Sequence, residues 1–552
     1  MFEEKIKARI SEATGMKKDE IFLEKPKENY GDYAFPCFSL AKKLKKNPIE
    51  VAKDLANKIK PSKEIEKVVA LHGYLNFFID KEIMIKKILK KVLGEEKRKK
   101  KKDIILVESP GPNTNKPLHV GHLRNLFIGD SIARIFEFLG YRVKRVDIIN
   151  NRGIHICKSM LAYQKWGKNR KPDKKPDHFV GQFYVLFSQK AKENPELEKE
   201  AQELLRKWEQ QDKKTLKLWK KMNSWAMQGI QKTYRLLNFR HDKQYFESET
   251  YKKGKEIVLQ GLKKGIFKKS DDGSVFVDLK ELGKKVLLRG DETSIYITQD
   301  IGLAKKRYED YKFSKMFYVV ASEQDYHFKC LFKILNLLGY KWARNLVHLS
   351  YGMVNLPSGK MKSREGTVID ADDLISEVLE GAKKELIKRY KLSKQKLKTR
   401  SLAIAIAAIK FALLKVDIKK NILFDKKEAL DFEGFSGPYL QYSYARASSI
   451  LKKIKNKKSK KNFKNLNESE INLVKKLSEF PSTIERTARE LKPDILAIYS
   501  YELAQLFSNF YHTCPVSQAK EERGRRILIV LAFKKIMKNC LNLLGIEAIE
   551  EM

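Results

Sequence analysis

Two histidines separated by two residues are the chain's most informative chemical feature. They are His119 and His122, in the run Lys116-Pro117-Leu118-His119-Val120-Gly121-His122. At the start of a helix, side chains three positions apart lie on one face, beside backbone N–H groups that attract anions. Such imidazoles could donate hydrogen bonds as charge builds on an α-phosphate, and Gly121 would let a nucleoside lie against the backbone. The pattern alone is also typical of surface or metal-binding histidines.

A second candidate is the glycine-bounded basic loop at 359–367, which follows the last predicted strand of the sheet region. Its central residues are Lys360, Met361, Lys362, Ser363 and Arg364. Three cations on a loop can close over phosphates and stabilise the charge of a phosphoryl transition state. Taken alone, the segment favours the simpler interpretation of an ordinary basic surface loop.

The apolar pattern predicts a parallel nucleotide-binding sheet that positions both segments. Apolar runs of strand length alternate with stretches of helical periodicity, which is the pattern of strand–helix–strand crossovers. The predicted strands are 103–107, 141–149, 316–321 and 346–353, and the predicted helices are 120–139 and 328–338. The histidine pair stands at the start of the first predicted helix, just after the first predicted strand. The basic loop follows the last predicted strand.

Changes in composition divide the chain into four regions. Residues 1–100 form an α/β module that ends in a lysine-rich run, and 101–358 form the sheet domain, with a polar, tryptophan-rich helical insertion at about 155–240. Residues 359–400 form a connector and 401–552 are almost entirely helical. The predicted fold class is α/β: a Rossmann-like, doubly wound parallel-sheet catalytic domain with a helical insertion, an N-terminal α/β module and a C-terminal all-α bundle.

Charge and cysteine content limit the partners and the compartment. The 114 lysines and arginines against 69 acidic residues give a net charge of +45, which attracts polyanions such as nucleic acids. A genome biased toward lysine codons would give the same balance, so charge alone leaves that question open. The five cysteines lack zinc-site spacing, and the sequence shows no signal peptide or membrane-spanning stretch. We therefore expect a cytoplasmic protein without zinc and without membrane contact.

The two candidate segments resemble the HIGH and KMSKS signatures of class I aminoacyl-tRNA synthetases. They stand as His119-Val120-Gly121-His122 and Lys360-Met361-Lys362-Ser363-Arg364, in the expected order within one doubly wound domain. The stretch 107–119 further resembles the arginyl family's version of the first signature, and resemblance covers nearly the full length, weakest over 160–240 and 452–500. It implies activation of arginine by ATP with Mg²⁺, followed by transfer to arginine tRNA.

The resemblance assigns six residues to the binding of arginine. They are Glu108, Asn113, Glu247, Tyr296, Asp300 and Gln324. Asn113 would hold the backbone groups of the substrate, and Tyr296 with Asp300 would grip its guanidinium and ammonium groups. Gln324 matches a substrate-contacting glutamine, and the two glutamates would line the pocket, since guanidinium groups pair with carboxylates. We expect Tyr296 and Asp300 to lie on one strand, where positions four apart face the same way.

The resemblance also assigns tRNA contacts to both ends of the chain. The N-terminal module is similar to a domain that touches the tRNA elbow, 359–400 to a connector that contacts the tRNA stem, and 401–552 to a helical anticodon-binding domain. The implied tRNA-contacting residues are Asn29, Tyr33, Tyr439, Gln441, Tyr442, Arg446 and Met552. Aromatic side chains beside polar groups suit stacking on unpaired bases.

One departure from the general signature shifts the phosphate chemistry. Ser363 stands where the general signature has its second lysine, a lack that many arginyl enzymes share, and Lys116 beside the first motif would compensate. The family is mostly monomeric and usually activates arginine only after tRNA binds. We expect the same behaviour here.

Three alternatives stay open on the sequence. Another class I synthetase, such as a cysteinyl or class I lysyl enzyme, is disfavoured by the lack of zinc-site cysteines and by Tyr296 with Asp300. A non-catalytic tRNA-binding relative is disfavoured by the intact histidines and basic loop. A plain nucleotidyltransferase of the same superfamily would not need the segment 432–446.

Overall fold

Two compact units make up the described part of the protein. The computed structural model describes residues 2–26, 29–94, 98–355, 369–454 and 462–552. The first unit comprises residues 1–95, 450–480 and 505–536, and the second comprises 96–449, 481–504 and 537–552. This grouping differs from the division into four regions, because part of the C-terminal helical region packs with the N-terminal module.

The N-terminal elements form a three-stranded antiparallel sheet with helices. They are α1 (Phe2–Thr14), β1 (Tyr33–Pro36), α2 (Phe38–Leu44), α3 (Pro48–Lys58), β2 (Ile65–Leu71), β3 (Tyr74–Ile79) and α4 (Lys81–Leu93), with strand order β1-β3-β2. Asn47 and Asp80 begin α3 and α4 by accepting backbone N–H groups of the first turn. Strands β2 and β3 form a hairpin whose turn is at His72 and Gly73, which both have positive φ.

A five-stranded parallel sheet is the centre of the second unit. Its five strands are β4, β5, β6, β10 and β11. In chain order, the elements of this region are β4 (Ile104–Glu108), α5 (Val120–Phe138), β5 (Arg142–Ile149), α6 (Ile154–Trp166), α7 (Pro176–Glu193), α8 (Glu196–Glu209), α9 (Lys213–Leu236), β6 (Lys243–Phe246), α10 (Glu247–Lys263), β7 (Lys268–Lys269), β8 (Val275–Asp278), β9 (Lys284–Leu288), α11 (Tyr296–Tyr311), β10 (Lys315–Ala321), α12 (Asp325–Leu337) and β11 (Leu346–Tyr351). The predicted strands and helices of the sheet region are confirmed.

The strand order places a ligand site beside β4. The order is β11-β10-β4-β5-β6, and every neighbouring pair is parallel. The chain proceeds outward from β4 to β6 and then returns to the other side of β4 as β10. Open α/β sheets bind ligands at the carboxyl ends of the strands where the strand order reverses in this way. The loop that follows β4 and carries the histidine motif therefore lies at this reversal.

The helical insertion is formed by α6 to α9, between β5 and β6. Its core contains rings packed edge to face: Tyr163 lies 5.2 Å from Phe183, and Phe179 lies 5.5 Å from Trp225, centroid to centroid. Aromatic pairs with this geometry add to the stability gained by burying their area. The aromatic residues of the insertion therefore form a core of its own.

Helices α10 and α11 touch through their backbones. A Cβ on Gly254 would lie 1.9 Å from the carbonyl oxygen of Thr298, and a Cβ on Gly302 would lie 2.5 Å from the backbone nitrogen of Gly254. Only glycine permits this approach. The contact fixes the separation between the helix that begins at Glu247 and the helix that carries Asp300.

A second, antiparallel sheet separates these two helices in the chain. It consists of β7, β8 and β9 in that order, all of them between α10 and α11. Sequence analysis did not predict it, since its strands have only two to five residues. Leu287 and Leu288 of β9 are buried in the core of the parallel-sheet domain.

The remaining elements are almost all helices. They are β12 (Val354–Asn355), α13 (Ala371–Arg389), α14 (Lys394–Leu414), β13 (Ile422–Leu423), α15 (Lys426–Ala429), α16 (Gly437–Lys453), α17 (Glu468–Ser478), α18 (Phe480–Glu490), α19 (Pro493–Thr513) and α20 (Arg523–Leu543). In the first unit, Lys81 and Lys475 both contact the carboxylate of Asp32 at 2.6 Å. These ion pairs join the N-terminal sheet to α17.

Arg124 joins α5 to two later segments of the second unit. Its fully buried guanidinium donates to the carbonyl oxygens of Gly352 and Met353 and to those of Asp417 and Ile418. The segment that leads into the basic loop is therefore fixed to the helix that carries the histidines.

Substitution of Gly254 tests the helix contact. We expect Gly254→Ala to destabilise the protein by about 1–3 kcal/mol, since overpacking forces backbone shifts. The melting temperature should fall by several degrees. Gly381→Ala in α13 is the matched control, since its Cβ would meet only the tip of the Leu430 side chain. Equal melting temperatures for the two variants would contradict this account.

Candidate active site

His119 and His122 lie together at the N-terminus of α5. Their ring centroids are 3.7 Å apart, and the backbone N–H of His119 donates to Nδ1 of His122 at 3.0 Å. Burial lowers the pKa of His119 to about 4 and that of His122 well below its ordinary value, and the charge of Lys116 adds to both shifts. Both rings are therefore neutral near pH 7. Because Nδ1 of His122 accepts a hydrogen bond, its hydrogen is on Nε2, which can donate to an anion.

Two glycines make room for this motif. A Cβ on Gly121 would lie 2.9 Å from the ring of His119, so the glycine is required by the histidine itself, in addition to the expected contact with a nucleoside. A Cβ on Gly181 of α7 would lie 2.9 Å from Cδ of Pro117 and 3.5 Å from Cα of Lys116. Helix α7 therefore packs directly against the backbone of the half-buried Lys116.

The segment that follows the basic loop pairs with the histidine motif. The N–H of Val120 donates to the carbonyl of Ile369 at 2.9 Å, and the N–H of Ala371 donates to the carbonyl of Leu118 at 3.0 Å. This antiparallel bridge centres on His119 and Asp370. The expected phosphate-binding residues Lys360, Met361, Lys362, Ser363 and Arg364 lie outside the described residues.

An ionic cluster fixes the same segment to the helical insertion. Lys175 donates to Asp372 at 2.6 Å, to Thr233 at 2.7 Å and to Asp177 at 2.8 Å, and His178 Nε2 lies 2.7 Å from Asp372. Asp177, His178 and Asp372 are close enough together to hold a metal ion. The ammonium group of Lys175 already contacts both carboxylates and His178 contacts Asp372, so this cluster fits a structural clamp better than a cation site.

Glu108 pairs with an arginine of the chain itself. It ends β4, is 7% exposed, and forms an ion pair with Arg307 of α11, which is 1% exposed. Burial raises the pKa of Glu108 to about 7; the attraction of Arg307 opposes this rise and the negative charge of Asp300 adds to it. Glu108 was expected to line the arginine pocket, and the structure shows that its charge is balanced from within.

Tyr296 and Asp300 lie on a helix, and the expectation that they share a strand was wrong. They occupy the first two turns of α11, where positions four apart also share a face. Ile297, which lies between them, is buried on the apolar face of this helix. Tyr296 is 70% exposed. Asp300 accepts a hydrogen bond from Nε2 of His327 at 2.6 Å.

Glu247 belongs to a polar chain and lies close enough to Asp300 for the two charges to interact. Burial raises the pKa of Glu247 to about 7; Arg152 opposes the rise and the negative charge of Asp300 adds to it. The amide nitrogen of Gln299 donates to Glu247 at 2.7 Å, and its oxygen accepts from Arg152 at 3.1 Å. Arg152 in turn pairs with Glu209 at 2.7 Å and stacks over the ring of Tyr251.

Asn113 and Gln324 lie on the two loops that flank the reversal of strand order. Asn113 is half-buried after β4 and forms a parallel bridge with Asn150 at the end of β5. Gln324 is exposed between β10 and α12. Asp300 lies within electrostatic reach of both Glu108 and Glu247.

Comparison with known proteins decides the family. The family model described as tRNA synthetases class I (R), catalytic domain, matches residues 84–426. An arginine–tRNA ligase of Treponema denticola is 46% identical over 96% of this chain and 94% of its own length. The chain belongs to the arginyl-tRNA synthetase family. An arginine–tRNA ligase of Treponema pallidum is 42% identical, with coverage of 96% of this chain and 95% of its own.

The solved arginyl-tRNA synthetase of Thermus thermophilus has a similar fold. It aligns with a TM-score of 0.84 at 26% identity, and 100% of each chain is covered. Two further family models match: the arginyl-tRNA synthetase N-terminal domain at residues 1–79 and the DALR anticodon-binding domain at 440–552. The predictions of an arginyl family member and of its fold class are confirmed.

The expected tRNA-contacting residues of this arginyl-tRNA synthetase family member have different degrees of exposure. Asn29 is exposed and Tyr33, Tyr439, Tyr442, Arg446 and Met552 are half-buried. Gln441 is fully buried and donates to the carbonyl oxygens of Ala403 and Glu547. Its amide therefore holds the C-terminal segment against α14, a position that does not suit the expected contact with tRNA.

Cysteine and membrane features of this synthetase family member are simple. All five cysteines are buried and free. Among the described residues, none of the helices is both long and apolar enough to cross a bilayer.

Four residues of the site escaped sequence reasoning. They are Lys175, His178, His327 and Arg307. The first two lie in a polar insertion and acquire their role only through contact with the distant Asp372. His327 and Arg307 could have been noticed from spacing, since His327 follows Gln324 by three positions and Arg307 follows Asp300 by seven.

The contacts of His178 in the ionic cluster predict that its contribution to stability depends on pH. Burial opposes charge on His178, but its hydrogen bond with Asp372 and the other nearby carboxylates outweigh burial and raise its pKa. A raised pKa in the folded state means that the stabilisation is full below the unfolded value of about 6.5 and is lost as pH rises through the folded value. We expect His178→Ala to lower the melting temperature more at pH 6 than at pH 9.

His155→Ala is the control for this experiment. Burial lowers the pKa of His155, so any pH trend in its contribution should have the opposite sign. A His178→Ala deficit that is the same at both pH values would contradict the assigned ion pair.

Proposed function

We propose that this chain activates L-arginine with ATP and transfers it to arginine tRNA, and that Glu108, Glu247 and Asp300 surround the site of the arginine side chain. The observation that carries this proposal is the position of Asp300 near two buried glutamates, Glu108 at the end of β4 and Glu247 at the start of α10. Asp300 acts electrostatically on both glutamates. A site of this kind favours a ligand with two positive groups, as arginine has.

The charges within the site support a cationic ligand. Glu108 is neutralised by Arg307, and Arg152 is neutralised by Glu209. Neither of these two ion pairs includes the carboxylate of Asp300 or that of Glu247. The raised pKa of Glu247 shows that its charged form is disfavoured as it stands. A guanidinium or ammonium group bound beside it would restore the charged form.

The phosphate chemistry is assigned to the N-terminus of α5. The carboxylate of arginine attacks the α-phosphorus of ATP, and the bond to pyrophosphate breaks. Nε2–H of His122, the neighbouring His119 and the ammonium of Lys116 would stabilise the charge on the phosphate oxygens. Lys360, Lys362 and Arg364 remain predicted contacts of the same triphosphate.

The second step transfers arginine to tRNA. The 2′-hydroxyl of the terminal adenosine attacks the carbonyl carbon of arginyl-adenylate, and AMP leaves. Neither step needs a nucleophile from the protein, so positioning and charge stabilisation supply the rate. Mg²⁺ enters with ATP, because the nearby carboxylates Asp370 and Asp372 already interact with His178 and Lys175.

The partner in this proposal is arginine tRNA, which the N-terminal module would contact at the elbow and the C-terminal helices at the anticodon. Asn29 and Tyr33 on the module, and Tyr439, Tyr442 and Arg446 on α16, retain some exposure for such contacts. The net charge of +45 attracts tRNA and opposes self-association, which supports a monomer. Free cysteines suit the reducing cytoplasm.

Substitution of Asp300 tests the arginine site. We expect Asp300→Ala to raise the KM for arginine in aminoacylation by about 100-fold, since a desolvated charge pair is lost, and to leave the KM for ATP nearly unchanged. Glu309→Ala is the matched control, because Glu309 is on the same helix and pairs with Lys253 at the surface. An unchanged KM for arginine in Asp300→Ala would refute the assignment.

A further inference from the structure

We propose that His327 is a positioning residue for arginine, which fixes the carboxylate of Asp300 relative to Gln324. Its imidazole lies 2.6 Å from Asp300 and three positions beyond Gln324. The inference rests on the proposed function, in which Asp300 and Gln324 contact the substrate.

The hydrogen bond determines which part of Asp300 faces a ligand. The contact is between Nε2 of His327 and Oδ2 of Asp300, so Nε2 carries the hydrogen and donates. A carboxylate has two oxygens with about four lone-pair directions. With one direction of Oδ2 taken by His327, rotation of the carboxylate is restricted and Oδ1 is left to accept from a ligand. The donor thus orients the acceptor in advance of binding.

The same bond joins two separate elements of the site. Asp300 lies on the second turn of α11, and His327 lies on the first turn of α12. Gln324 immediately precedes α12. The bond therefore links the carboxylate of Asp300 to the helix that Gln324 precedes, and among the described hydrogen bonds it is the one that reaches the side chain of Asp300.

His327 itself lies on a fixed support. Its ring is edge to face with Phe328, with centroids 5.5 Å apart at 85°. Phe328 stacks on His348 at 4.4 Å, and His348 is held by the carbonyl oxygen of Val320 at 3.0 Å and by Asp325 at 3.2 Å. Phe328 and His348 therefore support the imidazole of His327 against strand β10. The imidazole in turn orients the carboxylate of Asp300.

Exposure argues against a purely structural role for the pair. The side chain of Asp300 is 37% exposed, while that of His327 is 19% exposed. Ion pairs with this much contact with water contribute little to stability. The hydrogen bond between His327 and Asp300 therefore contributes little to the stability of the fold. Its main effect is to orient a carboxylate at the entrance of the ligand site.

The test compares three variants in aminoacylation with saturating tRNA. We expect His327→Ala to raise the KM for arginine on the order of tenfold, with little change in the KM for ATP, since a hydrogen bond to a charged group is lost. His327→Gln should restore most of the wild-type KM, because its amide nitrogen can reach the position of Nε2. In the double variant with Asp300→Ala, the loss of His327 should add nothing further, because it acts only through Asp300.

His348→Gln is the control for packing, since His348 flanks the same Phe328 and pairs with a different carboxylate. Should His327→Ala be too unstable to assay, His327→Leu keeps bulk and removes the donor. An unchanged KM for arginine in both His327→Ala and His327→Leu would overturn the inference. A double variant in which the effects of His327→Ala and Asp300→Ala on this KM add would overturn it as well. If Asp300→Ala itself leaves that KM unchanged, the proposed arginine site fails instead.

Discussion

The buried ion pair between Glu108 and Arg307 is the interaction on which the arginine site depends. Glu108 ends the central strand at the reversal of strand order, and Arg307 reaches it from α11. Breaking such a pair by removing one partner costs about 3–5 kcal/mol, because an uncompensated charge stays buried. Arg307 and Asp300 are seven positions apart on one helix and therefore share a face. The pair thus holds Asp300 toward the end of the strand.

The two halves of the site are positioned by different physical means. The phosphate side relies on the backbone: α5 begins at the histidines, and residues 369–371 pair with residues 118–120. The arginine side relies on side-chain charge and on the close contact of α10 with α11 at Gly254 and Gly302. Both halves meet at the loop after β4, which explains why one loop carries residues proposed for both substrates.

Much of this could be predicted from the sequence, because the determinants are local. Apolar periodicity and turn residues predict the strand–helix–strand crossover around β4 and α5 and the helical C-terminal region. They also place the histidines where strand β4 is followed by helix α5. The resemblance assigned Tyr296 and Asp300 to the binding of arginine, which stays a prediction, and the strand expected for them was wrong because they begin a helix. A spacing of four positions fits both a strand and a helix, and in the structure these residues begin α11, which packs closely against α10.

What could not be predicted depends on contacts between distant segments. Although Arg307 stands seven positions from Asp300, nothing in the sequence indicates that it pairs with Glu108, and nothing near Asp372 indicates Lys175. Gln441 stands among residues that resemble a tRNA-binding helix, but the return of the C-terminal segment buries it. The role of Gly121 was assigned to the ligand, although the ring of His119 already requires it.

The central claim is that uncompensated carboxylate charge selects arginine. Its most direct test compares arginine with citrulline, a neutral analogue of similar shape, as substrate and competitive inhibitor in tRNA charging by the wild-type protein. A site built on charge predicts that the inhibition constant of citrulline exceeds the KM for arginine by about 100-fold or more. Inhibition by citrulline at concentrations close to the KM for arginine would contradict the account.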